Sequence, residues 1–155
     1  MATFQNTVTI RRPIEEVFAF LGDFQNVPRW NYAILHTTKT SRGPVGVGTT
    51  YRQVRSIPRR SEEGFRVTVF EPTSRLEIQG EVGPFKATIS YLLVPLGEGT
   101  CLTNTVDLQP ASAALRLLAP LAALTVKTAV AANLDTLKRL LETGVGVTHE
   151  ATLGT

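Results

Sequence analysis

Residues 10–32 read IRRPIEEVFAFLGDFQNVPRWNY, and this stretch decides the fold. Pro13 stands where a helix begins, since its locked φ suits a first turn and its missing N–H is not needed there. Glu15 and Glu16 follow and place negative charge at the positive end of the helix dipole. Ile14, Val17, Phe18 and Leu21 recur at i, i+3, i+4 and i+7, which is one apolar helical face. Gly22 ends the helix. The spacing then predicts a second short helix over 24–27, broken by Pro28, with the chain's only tryptophan, Trp30, close behind. Two short helices joined by a tight turn form a V-shaped pair, and with an aromatic plug they can fill the open end of a curved sheet.

Outward from this segment the chain alternates. Phe4, Asn6, Val8 and Ile10 share one face of a first strand, with Gln5, Thr7 and Thr9 on the other. Further strands are predicted over 34–41, 47–57, 64–71, 75–81, 85–94 and 100–108. Turn signals separate them: Arg42-Gly43-Pro44, Pro58-Arg59-Arg60, Pro72-Thr73-Ser74 and Gly97-Glu98-Gly99. The turns are short, so neighbours are antiparallel. Phe65, Val67 and Val69 share a face, as do Leu76 and Ile78, and Phe85, Ala87, Ile89, Tyr91 and Leu93. Polar Lys86, Thr88 and Ser90 alternate with the last set, the pattern of a sheet with one wet and one covered face.

A long helix is predicted over 112–142, with Ser112 as N-cap and Gly144 as stop. Leu115, Leu118, Ala119, Ala122, Val126, Ala129, Asn133, Leu137 and Leu140 make one stripe that should face the sheet. Pro120 should kink the helix. The stripe is small in its middle, which leaves room for a cavity unless bulky strand residues such as Phe65 and Tyr91 fill it. On the opposite side Leu117, Leu121 and Leu124 cluster. An exposed apolar patch usually marks a partner; a homodimer is the first reading, a lid touching ligand or membrane the second.

The segment at 10–32 resembles the helix-grip superfamily often called SRPBCC, which includes START lipid-transfer domains, the birch-pollen-allergen fold and polyketide cyclases/dehydrases. The likeness rests on Pro-x-x-x-Val-Phe at 13–18, Asp23-Phe24 and Pro28-Arg29-Trp30. It extends through GVGTTYR at 46–52, FEPTSRLEI at 70–78, GEGTCLT at 97–103 and NLDTLKRLLE at 133–142. Arg12 departs from the pattern, where Ser or Ala is usual. The resemblance implies an α+β helix-grip fold: a bent seven-stranded antiparallel sheet, two short helices and a long C-terminal helix. It implies one ligand-binding domain over 1–143; residues 144–155, small and polar without periodicity, are read as a disordered tail.

Composition narrows the function. The chain has 155 residues, 43% hydrophobic and 19% charged, and carries a net charge of +3. That is an ordinary soluble domain. Basic pairs occur only at Arg11-Arg12 and Arg59-Arg60, without aromatic interleaving, so no nucleic-acid partner is expected. No uninterrupted apolar run spans a bilayer, because Arg116, Pro120 and Lys127 punctuate 111–132, so stable membrane insertion is not expected. The single cysteine, Cys101, fits a reducing, cytoplasmic setting.

No catalytic constellation is legible. The two histidines are His36, on a strand, and His149, in the tail. No Cys/His spacing implies a metal and no Gly motif implies a nucleotide, so no metal or cofactor is expected. What remains is polar groups that can line an apolar cavity. Tyr51, Gln53 and Arg55 alternate with Arg52, Val54 and Ser56; the pattern leaves open which set points inward, and the first is taken as the binding set. Asn104 shares a face with Leu102, Val106 and Leu108, and Asn133 lies in the helical stripe. With Trp30, Phe65, Ile78, Ile89, Tyr91, Leu118, Ala122, Val126 and Ala129 these form the expected ligand-binding set. The expectation is a binder of a small hydrophobic molecule, lipid-, sterol- or polyketide-like, held between sheet and C-terminal helix. The alternatives are a polyketide cyclase/dehydratase using the same cavity, and an interaction module working through the leucine patch.

Overall fold

The first strand, β1 (Ala2–Ile10), runs directly into α1 (Ile14–Gly22), and a single 3-10 turn (Phe24–Asn26) leads into α2 (Val27–Trp30). The computed structural model describes residues 2–144. Six strands follow: β2 (Ile34–Lys39), β3 (Thr50–Arg55), β4 (Ser61–Glu71), β5 (Arg75–Val82), β6 (Phe85–Leu96) and β7 (Gly99–Pro110). The chain closes with α3 (Ala113–Thr143). All seven strands form one antiparallel sheet in the order β1-β7-β6-β5-β4-β3-β2. β1 and β2 are consecutive yet occupy opposite edges. The helix pair between them must therefore cross the whole width of the sheet, which is how it comes to cover the concave face.

Two local expectations are corrected. Pro28 does not break a helix; it begins one, in the first turn of α2, where its missing N–H is no loss. Residues 24–26 form a 3-10 turn instead, and the Asp23 carboxylate accepts from the Gln25 N–H at 3.2 Å. In β4 the register shifts between Val67 and Val69, so that Val67 faces Ile78 but Phe70, not Val69, faces Leu76. This bulge inserts one residue and inverts the alternation. Phe70 is thereby turned onto Phe18, edge to face at 5.4 Å.

α3 is held at both ends. Ser112 Oγ accepts from the Leu115 N–H at 3.3 Å. Gly144, at φ 71°, donates its N–H to the Leu141 carbonyl. Arg12 donates from Nε to the Leu141 carbonyl and from Nη2 to the Glu142 carbonyl, both at 2.8 Å. A cation on the last carbonyls of a helix meets the negative end of its dipole. Arg12 thus has a structural task, closing the C-terminal end of α3.

The core has two parts. Leu134, Leu137 and Leu141 pack with Ile10, Val17, Leu21, Leu76 and Leu102 under α1. Ala119, flanked by Leu115, Ala122, Ala123 and Val126, packs on Phe4, Phe85, Ala87, Val106 and Leu108. The small residues of α3 thus lie directly on the sheet. The expected disordered tail beyond 144, with His149, falls outside the described residues.

Candidate functional site

The concave wall is built from four strands in register. Tyr51 faces Phe65, and Gln53 faces Glu63. Phe65 in turn faces Gly80, and Val67 faces Ile78. Ile78 faces Ile89, and Gly80 faces Ala87. Tyr51, Gln53 and Arg55 are therefore the inward set of β3. Strands β4 and β5 approach closely at Gly80: a methyl there would lie 2.5 Å from the Gly64 carbonyl oxygen and 2.9 Å from Phe65 Cα. No side chain fits at that point of the sheet.

Against this wall lie Phe24, Val27, Trp30 and Asn31, and between the two is a cavity of about 70 Å³. Ligand pockets usually measure about 300–1,000 Å³, so this is a closed site. Aromatic rings fill the missing space. Tyr51 stacks on Phe65 at 5.0 Å, and Phe24 meets them edge-on at 5.3 and 5.7 Å. The bulky strand residues, not open space, occupy the concavity. A larger depression of about 560 Å³ lies on the outer face around Arg52, Arg66 and Lys86, but it is open to solvent and away from the helix pair.

The polar centre of the site is Glu63, whose side chain is only 3% exposed. Its carboxylate accepts from Arg55 Nε at 2.8 Å, Gln53 Nε2 at 2.9 Å and the Gly83 N–H at 2.9 Å. Gln53 and Arg55 border the inner cavity. Arg55 and Glu63 also border a surface recess of about 350 Å³ around Pro58, Arg59 and Pro84. The ion pair is thus a polar partition between cavity and solvent. The sequence reading missed Glu63 because it began the strand at Gly64. The available signal was parity: Glu63, Phe65 and Val67 point the same way.

Four buried polar atoms have no protein partner among the described residues: Trp30 Nε1, Thr37 Oγ1, Tyr51 Oη and Asn104 Oδ1. An unpaired buried donor or acceptor is costly, and such atoms are rare unless something else satisfies them. Burial, reinforced by the charge of Asp23, pushes the Tyr51 hydroxyl up to about 12. Burial also pushes Tyr91 upward. Both phenols stay protonated and can donate.

The chain matches along residues 1–142 the family described as polyketide cyclase / dehydrase and lipid transport. The chain belongs to that family. Solved structures share its fold at low identity. The Zhui aromatase/cyclase from Streptomyces sp. R1128 is 16% identical, with a TM-score of 0.72 over 93% of this chain and 95% of its own. TTHA0849 from Thermus thermophilus is 18% identical, with a TM-score of 0.74 over 89% of this chain and 95% of its own. The di-domain aromatase/cyclase StfQ of the steffimycin biosynthetic pathway is 14% identical, with a TM-score of 0.76; the match covers 94% of this chain and 52% of StfQ. A search of curated proteins finds no match.

For this member of the polyketide cyclase / dehydrase and lipid transport family, the expected site residues separate into two groups. Trp30, Gln53, Arg55, Phe65, Ile78, Ile89 and Tyr91 line the cavity together, and Tyr51 stacks on its wall. Leu118 does not: it is 55% exposed, on the outer side of α3. Ala122 and Val126 pack on the Phe4 and Val106 cluster, and half-buried Ala129 also stands apart from the cavity. Asn133 accepts from the Tyr32 N–H at 3.3 Å and so fastens α3 to the end of α2. Asn104 donates to the Ser90 carbonyl at 3.3 Å. The cavity therefore lies between the sheet and α2, not beneath the small stripe of α3. His36 is exposed on β2, and no cluster of three metal-ligating side chains occurs among the described residues.

Proposed function

We propose that the chain binds a small hydrophobic molecule bearing one or more carbonyl or hydroxyl oxygens, between the concave sheet and the helix pair. The observation that carries this is the buried, unpartnered indole N–H of Trp30 in the wall of a mostly apolar cavity. A donor there suits an acceptor oxygen, and the Tyr51 hydroxyl, also buried and unpartnered on a ring stacked against the wall residue Phe65, is a second donor. A ligand larger than about 70 Å³ must displace the Phe24–Tyr51–Phe65 cluster or lift the helix pair. The closed state is then the unliganded one.

The test is titration with a hydrophobic fluorescent probe, 1-anilinonaphthalene-8-sulfonate, read at the single tryptophan. Binding should quench or shift Trp30 emission, and Tyr51→Phe should weaken it about fivefold, the worth of one hydrogen bond. Saturating probe with no change in Trp30 emission would refute the site. Native mass spectrometry of protein purified from its own host would then identify a retained ligand.

A second reading is a cyclase or dehydratase. Arg55 and Gln53 border the cavity, where they could polarise a ketone oxygen as an enolate develops. Against it, both oxygens of the Glu63 carboxylate are already engaged, by Gln53, by Arg55 and by the Gly83 N–H. Incubation with a reactive poly-β-ketone separates the readings: one regiospecific cyclised product supports the enzyme, and the spontaneous mixture supports the binder.

A further inference from the structure

We propose that the first half of α3 docks the protein on an anionic lipid surface. This goes beyond ligand binding and does not depend on it. Leu117, Leu118, Leu121 and Leu124 are 84%, 55%, 68% and 64% exposed and gather four large apolar side chains within eight residues of one helix. At 3.6 residues per turn, Leu117, Leu121 and Leu124 form the crest of this face. Arg116 and Lys127 both fall on one flank of it.

Charge selects the occupant. Between Asp107 and Asp135 there is no acidic residue, and Arg116 and Lys127 are the only charged ones. A two-fold pairing of α3 with a second copy would bring both cations and their duplicates to one apolar interface with no carboxylate from the helix to offset them. A surface of lipid phosphates supplies that countercharge, while long basic side chains reach up to it from an immersed apolar face. The remaining polar groups on this face are already satisfied within the helix. Thr125 and Thr128 donate their hydroxyls to the Leu121 and Leu124 carbonyls at 3.2 and 3.1 Å.

The helix lies on the surface and does not cross it. By length and composition α3 could span a membrane. Its second half, however, carries Asn133, Leu134, Leu137 and Leu141 in the core, and Ala119 binds its first half to the sheet. Only the outer side is free for lipid.

The experiment is flotation of the full chain with vesicles of equal parts phosphatidylglycerol and phosphatidylcholine, and with phosphatidylcholine alone. The wild type should float with the anionic vesicles, and added salt should release it. Leu121→Glu with Leu124→Glu should lose binding by more than about tenfold. Arg116→Gln with Lys127→Gln should weaken it by about fivefold per cation removed. Should the glutamate pair unfold the chain, the glutamine pair keeps every leucine and decides the matter. The proposal is overturned if the wild type fails to float with anionic vesicles, or if the glutamine pair binds both vesicle types like the wild type. It is equally overturned if the lipid-free wild type sediments as a micromolar dimer that the glutamate pair converts to a monomer, because a second copy then covers the face.

Discussion

Glu63 is the residue on which the polar side of the site depends. It holds Arg55, Gln53 and the Gly83 backbone together, and Arg55 is itself only 14% exposed. Removing one partner of a buried pair costs about 3–5 kcal/mol, mostly because the other charge is stranded. Glu63→Ala should thus destabilise strongly, and adding Arg55→Ala should restore part of the loss. Urea unfolding of the two single variants and the double variant measures this; strictly additive losses would mean that the pair is not coupled. Tyr51 gives a second prediction. Its folded value of about 12 lies above the ordinary 10.0, so the folded state binds more protons between them. Stability from this group is full below pH 10 and is lost as pH rises toward 12. Tyr51→Phe should flatten that alkaline decline in a pH series of thermal melts. Glu142 has the opposite sign: the Lys138 ammonium, helped by the Arg11 N–H, lowers its value, so its contribution is lost only in acid.

The elements themselves were largely legible before the structure. Periodicity marked α1, α3 and several strands, because apolar spacing reports which face meets the core, and turn signals set off the remaining strands. What it could not report was phase after an inserted residue. The bulge at β4 exchanges Val69 for Phe70 on the inner face, and no local pattern announces it. Pro28 likewise supports either a helix end or a helix start, and only the packing of Trp30 decides. The small stripe of α3 misled for a third reason. Small residues can mean space, or they can mean close approach, and here they allow α3 to lie on Phe4, Ala87 and Leu108. This makes a prediction that differs from the cavity reading of the sequence. Ala122→Phe should cost about 1–3 kcal/mol through overpacking, seen as a lower melting temperature. The folded fraction should still bind the fluorescent probe, since the cavity lies beside α2. Loss of probe affinity in folded protein would put the cavity back under α3.

For the molecule as a whole, sequence order was enough for the fold but not for the site. Closure depends on which side chains meet across long separations, as Phe24 meets Tyr51 and Phe65. The same long-range packing divides α3 into two regimes. Its second half is buried through Asn133, Leu134, Leu137 and Leu141, fastened by Asn133 to Tyr32 and capped by Arg12. Its first half buries only Ala119 fully and contains Pro120, which removes one backbone hydrogen bond. Local opening follows the number of buried contacts, so the two halves should open independently. Amide hydrogen exchange should show residues 133–141 protected near the limit set by global unfolding and residues 115–126 exchanging much faster. Asn133→Ala releases the link to Tyr32 and should extend the fast regime toward the C-terminus, while Arg12→Ala should loosen only the last turn. Uniform protection along α3 would show that the helix opens as one unit with the core. A ligand too large for the closed cavity would then have to be admitted through the helix pair alone.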